Sequence, residues 1–195
     1  MERWFTADPH FWHPAMLTLL ERKRPYKSVE DMNEDLIRRW NDVVKRNDIV
    51  YVLGDFAVKM PEGGAEKIFR QLNGDKFLII GNHDQKNPSV VKLPWKWVGE
   101  RKTLSFDGVH IALDHFPMQA WDGSMKGSWH LYGHVHGDLP EHPSCLKMDV
   151  GVDVMLYGEP LFRPISFGEI KEVLSKRIFV PPDKRRVYYE EDLKS

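Results

Sequence analysis

The feature that most constrains this chain is a repeated pairing. A short, unbroken apolar run is followed at once by residues of metal-ligating type. Ile49-Val50-Tyr51-Val52-Leu53 runs into Gly54-Asp55, and Lys76-Phe77-Leu78-Ile79-Ile80 runs into Gly81-Asn82-His83-Asp84. Apolar runs of this length read as strands buried on both faces. Arg3 to Ala7, apolar and aromatic, leads in the same way into Asp8-Pro9-His10.

Helical spacing fills the gaps. His13-Pro14 opens a short helical stretch through Leu20. Ser28 with Asp31 is a weak capping box, and Val29, Met32, Leu36, Ile37, Trp40 and Val44 then repeat at helical intervals as far as Arg46. Glu62 to Leu72 reads as another helix, stopped by Asn73-Gly74. Strands alternating with helices predict an α/β fold.

The texture changes near Trp97. Val98–Phe106, Val109–Leu113, Ser128–Tyr132 and Leu146–Val154 read as strands, with Asp107-Gly108 as a hairpin turn. Phe167 to Lys176 reads as a late helix. The predicted organisation is a single domain over residues 1–180 and a loosely packed C-terminal tail over 181–195.

Composition narrows the function classes. The chain has 195 residues, 42% hydrophobic and 29% charged, with a net charge of -1, so no global basic field draws it to nucleic acid. Its one cysteine, Cys145, forms no internal disulfide, which fits a reducing compartment. The N-terminus lacks the apolar core of a secretory signal, and no apolar run approaches a membrane span. The expectation is a cytoplasmic protein with no membrane partner.

Asp8, His10, Asp55, Asn82, His83, His115, His134 and His136 almost all follow strand-like runs. In a mostly parallel sheet those ends converge on one edge, where ligands bind. Imidazole, carboxylate and amide oxygen suit manganese first, with iron, zinc, nickel and cobalt as alternatives. Asp55 carries two oxygens, enough to bridge two cations. Asp8 and His10 can reach one ion from a single loop; His134 and His136 can reach one ion each. Gly54, Gly81, Gly133 and Gly137 leave room for tight turns beside them.

These residues resemble the calcineurin-like metallophosphoesterases. The blocks are Asp8-Pro9-His10, Gly54-Asp55, Gly81-Asn82-His83-Asp84, Asp114-His115-Phe116-Pro117 and Gly133-His134-Val135-His136, in family order over residues 3 to 137. The resemblance implies a four-layer αββα sandwich and two divalent transition-metal ions. It implies that Asp8, His10 and His136 hold one ion, that Asn82, His115 and His134 hold the other, and that Asp55 bridges them. His83 is then a catalytic, non-ligand histidine facing the scissile phosphate. Asp84 either orients His83 or caps the following helix. The implied reaction is attack on phosphorus by a hydroxide shared between the metals, with His83 as general acid.

Departures narrow the branch. Gly54-Asp55 continues as Phe56-Ala57-Val58-Lys59, without the Asp and Arg of the phosphoprotein phosphatases or a tyrosine at position 58 for an iron–tyrosinate pair. The chain is similar to the small bacterial and phage phosphoesterases, with Phe11, His13 and Arg24-Pro25 continuing the first block. Expected substrates are phosphate esters or nucleotides, diesters ahead of monoesters, with nucleic-acid ends as a further class. A catalytically silent scaffold of the same fold is the alternative function.

Other residues have plainer readings. His13 either touches substrate or starts a helix. His110 reads as structural, His130 as near the site in sequence only, and His142 as a solvated loop residue. Trp40 reads as core; Trp12, Trp95, Trp97, Trp121 and Trp129 read as packing ahead of base stacking. Arg22-Lys23-Arg24 and Lys184-Arg185-Arg186 read as solvated charge.

Overall fold

In the computed structural model, which describes residues 1–18, 24–140 and 143–185, the first three apolar runs lie side by side. β1 (Arg3–Thr6), β2 (Ile49–Leu53) and β3 (Asp75–Ile79) are parallel, with Trp4 opposite Val50 and Val50 opposite Lys76. β4 (Trp97–Gly99) adds parallel to β3, and β11 (Ile165–Ser166) antiparallel to β1.

Side-chain alternation along these strands divides the core in two. Phe5, Tyr51, Leu53 and Ile79 point to one face. Val50, Val52 and Leu78 point to the other, against Met32, Leu36 and Trp40 of α1 (Val29–Val43) and Ile68 and Phe69 of α2 (Gly64–Gln71). Ser28 Oγ accepts from Asp31 N at 3.0 Å, so the predicted cap forms. α2 starts two residues later than its spacing suggests, because Gly63 takes a left-handed φ of 70°.

The predicted strand 98–106 divides at Glu100. β4 closes the first sheet, and β5 (Arg101–Phe106) opens a second, which continues through β6 (Val109–Asp114), β7 (Trp129–Tyr132) and β8 (Lys147–Asp149). Asp107 and Gly108 both take positive φ, 50° and 74°, as a two-residue hairpin turn requires. Ile111, Leu113, Leu131 and Met148 of this sheet meet Phe5, Leu53 and Ile79 of the first. α3 (Phe167–Leu174), capped by Ser166 and Glu169, adds Phe167, Ile170 and Leu174 to that inter-sheet core.

The expected strand over 146–154 ends at Asp149. Beyond it the chain leaves β8 and crosses to β1, where Val152 N donates to Ala7 O at 3.1 Å. A small hairpin follows, β9 (Met155–Leu156) with β10 (Glu159–Pro160).

The α/β sandwich of two sheets is therefore present, and its fourth layer is thin. Among the described residues no α-helix packs on the outer face of the second sheet. The loop after β6 covers it instead, with Trp121 stacked on His130 at 5.2 Å and His130 on Tyr132 at 5.3 Å. Of the expected tail, residues 181–185 are described: Pro182–Lys184 form a 3-10 turn, and Arg185 is buried with its guanidinium 5.7 Å from the Trp121 ring. Arg22, Lys23, His142 and Arg186 lie outside the described residues. Among the described residues no helix is long and apolar enough to cross a membrane.

Candidate metal centre

The loops that follow the strands of both sheets converge. β1 delivers Asp8 and His10, β2 Asp55, and β3 Asn82 and His83. β6 delivers His115, and β7 delivers His134 and His136. Asp8, His10, Asp55, His134 and His136 all hold positive φ, between 49° and 73°. Strain of this kind persists only where the surroundings fix it. Here backbone bonds between the loops do so: Asp8 N to Gly54 O at 3.0 Å and His10 N to Asp55 O at 3.1 Å.

Asp55 lies at the centre. Its Oδ1 accepts from His83 N at 2.8 Å. Its Oδ2 stands 3.6 Å from His10 Nε2, 3.6 Å from His115 Nε2 and 3.9 Å from His83 Nε2. Three sets of residues bring possible ligand atoms within 4.8 Å of one another: Asp8, His10 and His136; His10, Asp55 and His83; and Asp8, Asp55 and His115. His134 enters none of them. Its backbone N–H anchors on Asp8 Oδ2 at 2.7 Å, and its ring packs on His115 and Phe116 at 5.2 and 4.7 Å.

The donor set fits a cation pair on several counts. Asp8 Oδ1 and His10 Nε2 are buried without any hydrogen-bond partner, and they lie 3.8 Å apart. Burial, then the charges of Asp149 and Asp55, push the Asp8 carboxyl well above the usual carboxylate range. Burial lowers His10, His115 and His134, favouring the neutral imidazole that binds metals. His115 spends its Nδ1–H on Leu53 O at 2.7 Å, so its Nε2 lone pair faces Asn82 Oδ1 at 2.9 Å. Two acceptors facing one another are satisfied by a shared cation. His136 likewise donates Nδ1–H to Asp153 Oδ2 at 2.7 Å, which frees Nε2 for the cluster.

Asp84 sits apart from this chemistry. Its Oδ2 accepts from Asp55 N at 2.7 Å and Gly81 N at 2.9 Å, and its Oδ1 accepts from Phe56 N at 3.0 Å. Of the two roles the sequence allows, these bonds are those of a cap: Asp84 holds the Asp55 loop, and neither oxygen is spent on His83. Burial lifts its carboxyl to about 6. His13 lies with Nδ1 3.1 Å from His10 Nδ1 and its ring 5.4 Å from His83. Burial, then His83 and Lys59, lower it to about 4, so a neutral His13 buttresses His10. His83 stands at the rim, its side chain 35% exposed.

Sequence reasoning missed three residues. His130 is not near the site in sequence only: its ring braces the loop that follows His115. Its Nδ1–H donates to Ala112 O at 3.1 Å, and its Nε2 accepts from Met118 N at 3.2 Å. Asp153 is buried, and an acid set between Val152 and Val154 was the available signal. Arg24, read as solvated charge, is 2% exposed and pairs with both oxygens of Asp153 at 2.8 Å. Arg24 and His136 together hold the Asp153 carboxyl down at about 2 against the effect of burial.

This geometry can be set beside known proteins. The calcineurin-like phosphoesterase model matches residues 1–150. The chain belongs to the calcineurin-like phosphoesterase family. Among relatives in the family, the uncharacterized protein MJ1445 of Methanocaldococcus jannaschii is 31% identical, the match covering 87% of this chain and 89% of that protein. The gene 66 protein of Mycobacterium phage L5 is 33% identical over 77% of this chain and 86% of its own length. A solved structure of a protein of unknown function from Aquifex aeolicus, AQ665, is similar in fold to this chain. Its TM-score is 0.65 at 21% identity, covering 88% of this chain and 98% of that one.

Proposed function

We propose that this chain is a dinuclear metal-dependent phosphoesterase that hydrolyses phosphate esters, diesters ahead of monoesters. The observation that carries the reading is Asp55 Oδ2, set at 3.6 Å from the Nε2 atoms of both His10 and His115. One carboxylate oxygen between two imidazoles, backed by Asp8 and His136 on one side and Asn82 on the other, is a bridge between two cation sites. His134, whose ring lies 5.2 Å from that of His115, stands beside the second set.

When bound, a pair of divalent ions, manganese first, supplies the Lewis acidity that lowers the pKa of water and draws charge from phosphate oxygens. The chain's own part is to place and protonate. Leu53 O and Asp153 fix the tautomers of His115 and His136, and His13 steadies His10. His83 stands at the rim beside Asp55, where it can hand a proton to the leaving oxygen. Asp84 keeps the Asp55 loop from shifting as charge develops.

Arg24 is spent on Asp153, so it does not clamp a doubly charged monoester. That supports the diester preference and substrates such as small phosphodiesters, nucleotides or nucleic-acid ends. The unpaired Cys145 supports a cytoplasmic setting.

The test is hydrolysis of bis-p-nitrophenyl phosphate and p-nitrophenyl phosphate by metal-stripped protein, with manganese, nickel, cobalt, zinc or magnesium restored singly. Turnover that requires metal and disappears in Asp55→Asn is the expected result. Two bound ions with no turnover on any ester would favour the silent scaffold instead.

A further inference from the structure

The guanidinium of Arg24 has all five of its N–H donors placed. Nε donates to Asp153 Oδ1 at 2.8 Å; Nη2 donates to Asp153 Oδ2 at 2.8 Å and to Asp8 O at 2.7 Å; Nη1 donates to Pro9 O at 2.7 Å and approaches Met32 Sδ at 3.6 Å. No donor is left for substrate, and the side chain is fully buried.

Those contacts are not spread evenly over the centre. Through Asp153, Arg24 fixes His136, whose Nδ1 lies 2.7 Å from Asp153 Oδ2. Through the carbonyls of Asp8 and Pro9 it fixes the loop that bears Asp8 and His10. These three residues form one cation set. The other set hangs elsewhere: His115 on Leu53 O, Asn82 on His115, and the Asp55 loop on Asp84. Asp8 Oδ2 is also held independently, by His134 N.

We propose that Arg24 is a positioning residue for one ion of the pair only, the ion of Asp8, His10 and His136. Its loss weakens that ion and leaves the other at its wild-type affinity. This inference rests on the two-metal reading above. Lysine cannot replace Arg24, because one ammonium does not reproduce a planar fork that spans a carboxylate and two carbonyls. Outer-shell partners of this kind are worth about 10–100-fold in metal affinity.

The experiment titrates metal-stripped wild type, Arg24→Lys and Asp153→Asn with Mn(II) by calorimetry, and records Mn(II) electron paramagnetic resonance at one and two equivalents. Wild type should bind two ions and show a spin-coupled pair. Each variant should keep one site at wild-type affinity and bind the second ion about 10–100-fold more weakly, with the spectrum of an isolated ion at one equivalent. Asn82→Ala should weaken the complementary site, and Arg24→Lys/Asn82→Ala should weaken both. Near-UV circular dichroism checks that the variants fold. If Arg24→Lys does not fold, Asp153→Asn carries the comparison, since it keeps the size of the side chain and one acceptor. Folded variants that bind both ions normally, or that lose both equally, overturn the inference. A wild type that binds fewer than two ions overturns the two-metal reading itself, before any variant is compared.

Discussion

Gly54 links the backbone to the centre most directly, and replacing it by alanine has a calculable cost. Its φ is +90°, in the left-handed region, and a Cβ there would run into His115 Nδ1 and lie 2.7 Å from Gly81 Cα. Two costs add. Left-handed backbone costs an L-residue about 1–2 kcal/mol. Forcing a methyl into a packed site costs about 1–3 kcal/mol more, because the Gly81 neighbour is backbone and cannot swing aside. Gly158 provides the control: its φ is +91°, and nothing lies within 4 Å of its Cβ position. Gly158→Ala should therefore lose only the first amount, and Gly54→Ala about 2–5 kcal/mol in total. Urea unfolding of metal-stripped protein measures both. Displacing His115 from Leu53 O should also weaken one ion by about 10–100-fold, read by Mn(II) titration. Equal losses of stability in the two variants, within about 0.5 kcal/mol, would refute the claim that close packing at Gly54 sets the His115 position.

Three further outcomes are expected. His83→Ala should bind metal as wild type does and lose most activity; a variant with an emptied site would make His83 a ligand. Adding Mn(II) at about 100 times its dissociation constant should stabilise the metal-stripped protein by about 2.7 kcal/mol for each ion bound, about 5 for the pair, by mass action on the folded state; an unchanged melting temperature would show that the folded chain does not bind the metal. Lys76, buried with Nζ 2.6 Å from Leu72 O, is lowered by burial to about 8. The unfolded chain then holds more protons than the folded one between pH 8 and its ordinary value. Wild-type stability should rise across that window relative to Lys76→Met, by up to about 3 kcal/mol. A difference that stays flat or falls would show that the ammonium is not penalised.

The fold and the candidate ligands were legible where local chemistry set them. β2, α1 and the Asp107-Gly108 turn follow from apolar runs, a serine cap and a turn dipeptide. The break at Glu100 was not legible, because a strand that changes sheets keeps its alternation on both sides. The stretch after Asp149 looked like strand because Val150, Val152 and Val154 alternate; what diverts it is pairing with Ala7, far away in sequence. Five of the proposed ligands hold left-handed backbone, which Asp, Asn and His tolerate better than most residues. Their side-chain types were visible and their strain was not. Arg24 and Asp153, 129 residues apart, escaped for the same reason as Glu100: their meaning is tertiary. A basic cluster on paper gave no sign that one of its members is buried against an acid.

That the centre draws on loops from both sheets has a consequence during synthesis. Chain order delivers Asp8, His10, Asp55 and Asn82 after β1, β2 and β3, His115 after β6, and His134 and His136 after β7, before β8 is made. Each proposed ion needs a ligand from either half, so neither ion can be fully gripped while the first sheet alone has left the ribosome. Capture of the proposed ions is thus expected only once strands of both sheets are present, and chains stalled before Gly133 should retain no tightly bound Mn(II) after gel filtration. A nascent chain that has not docked its two halves should then hold neither proposed ion.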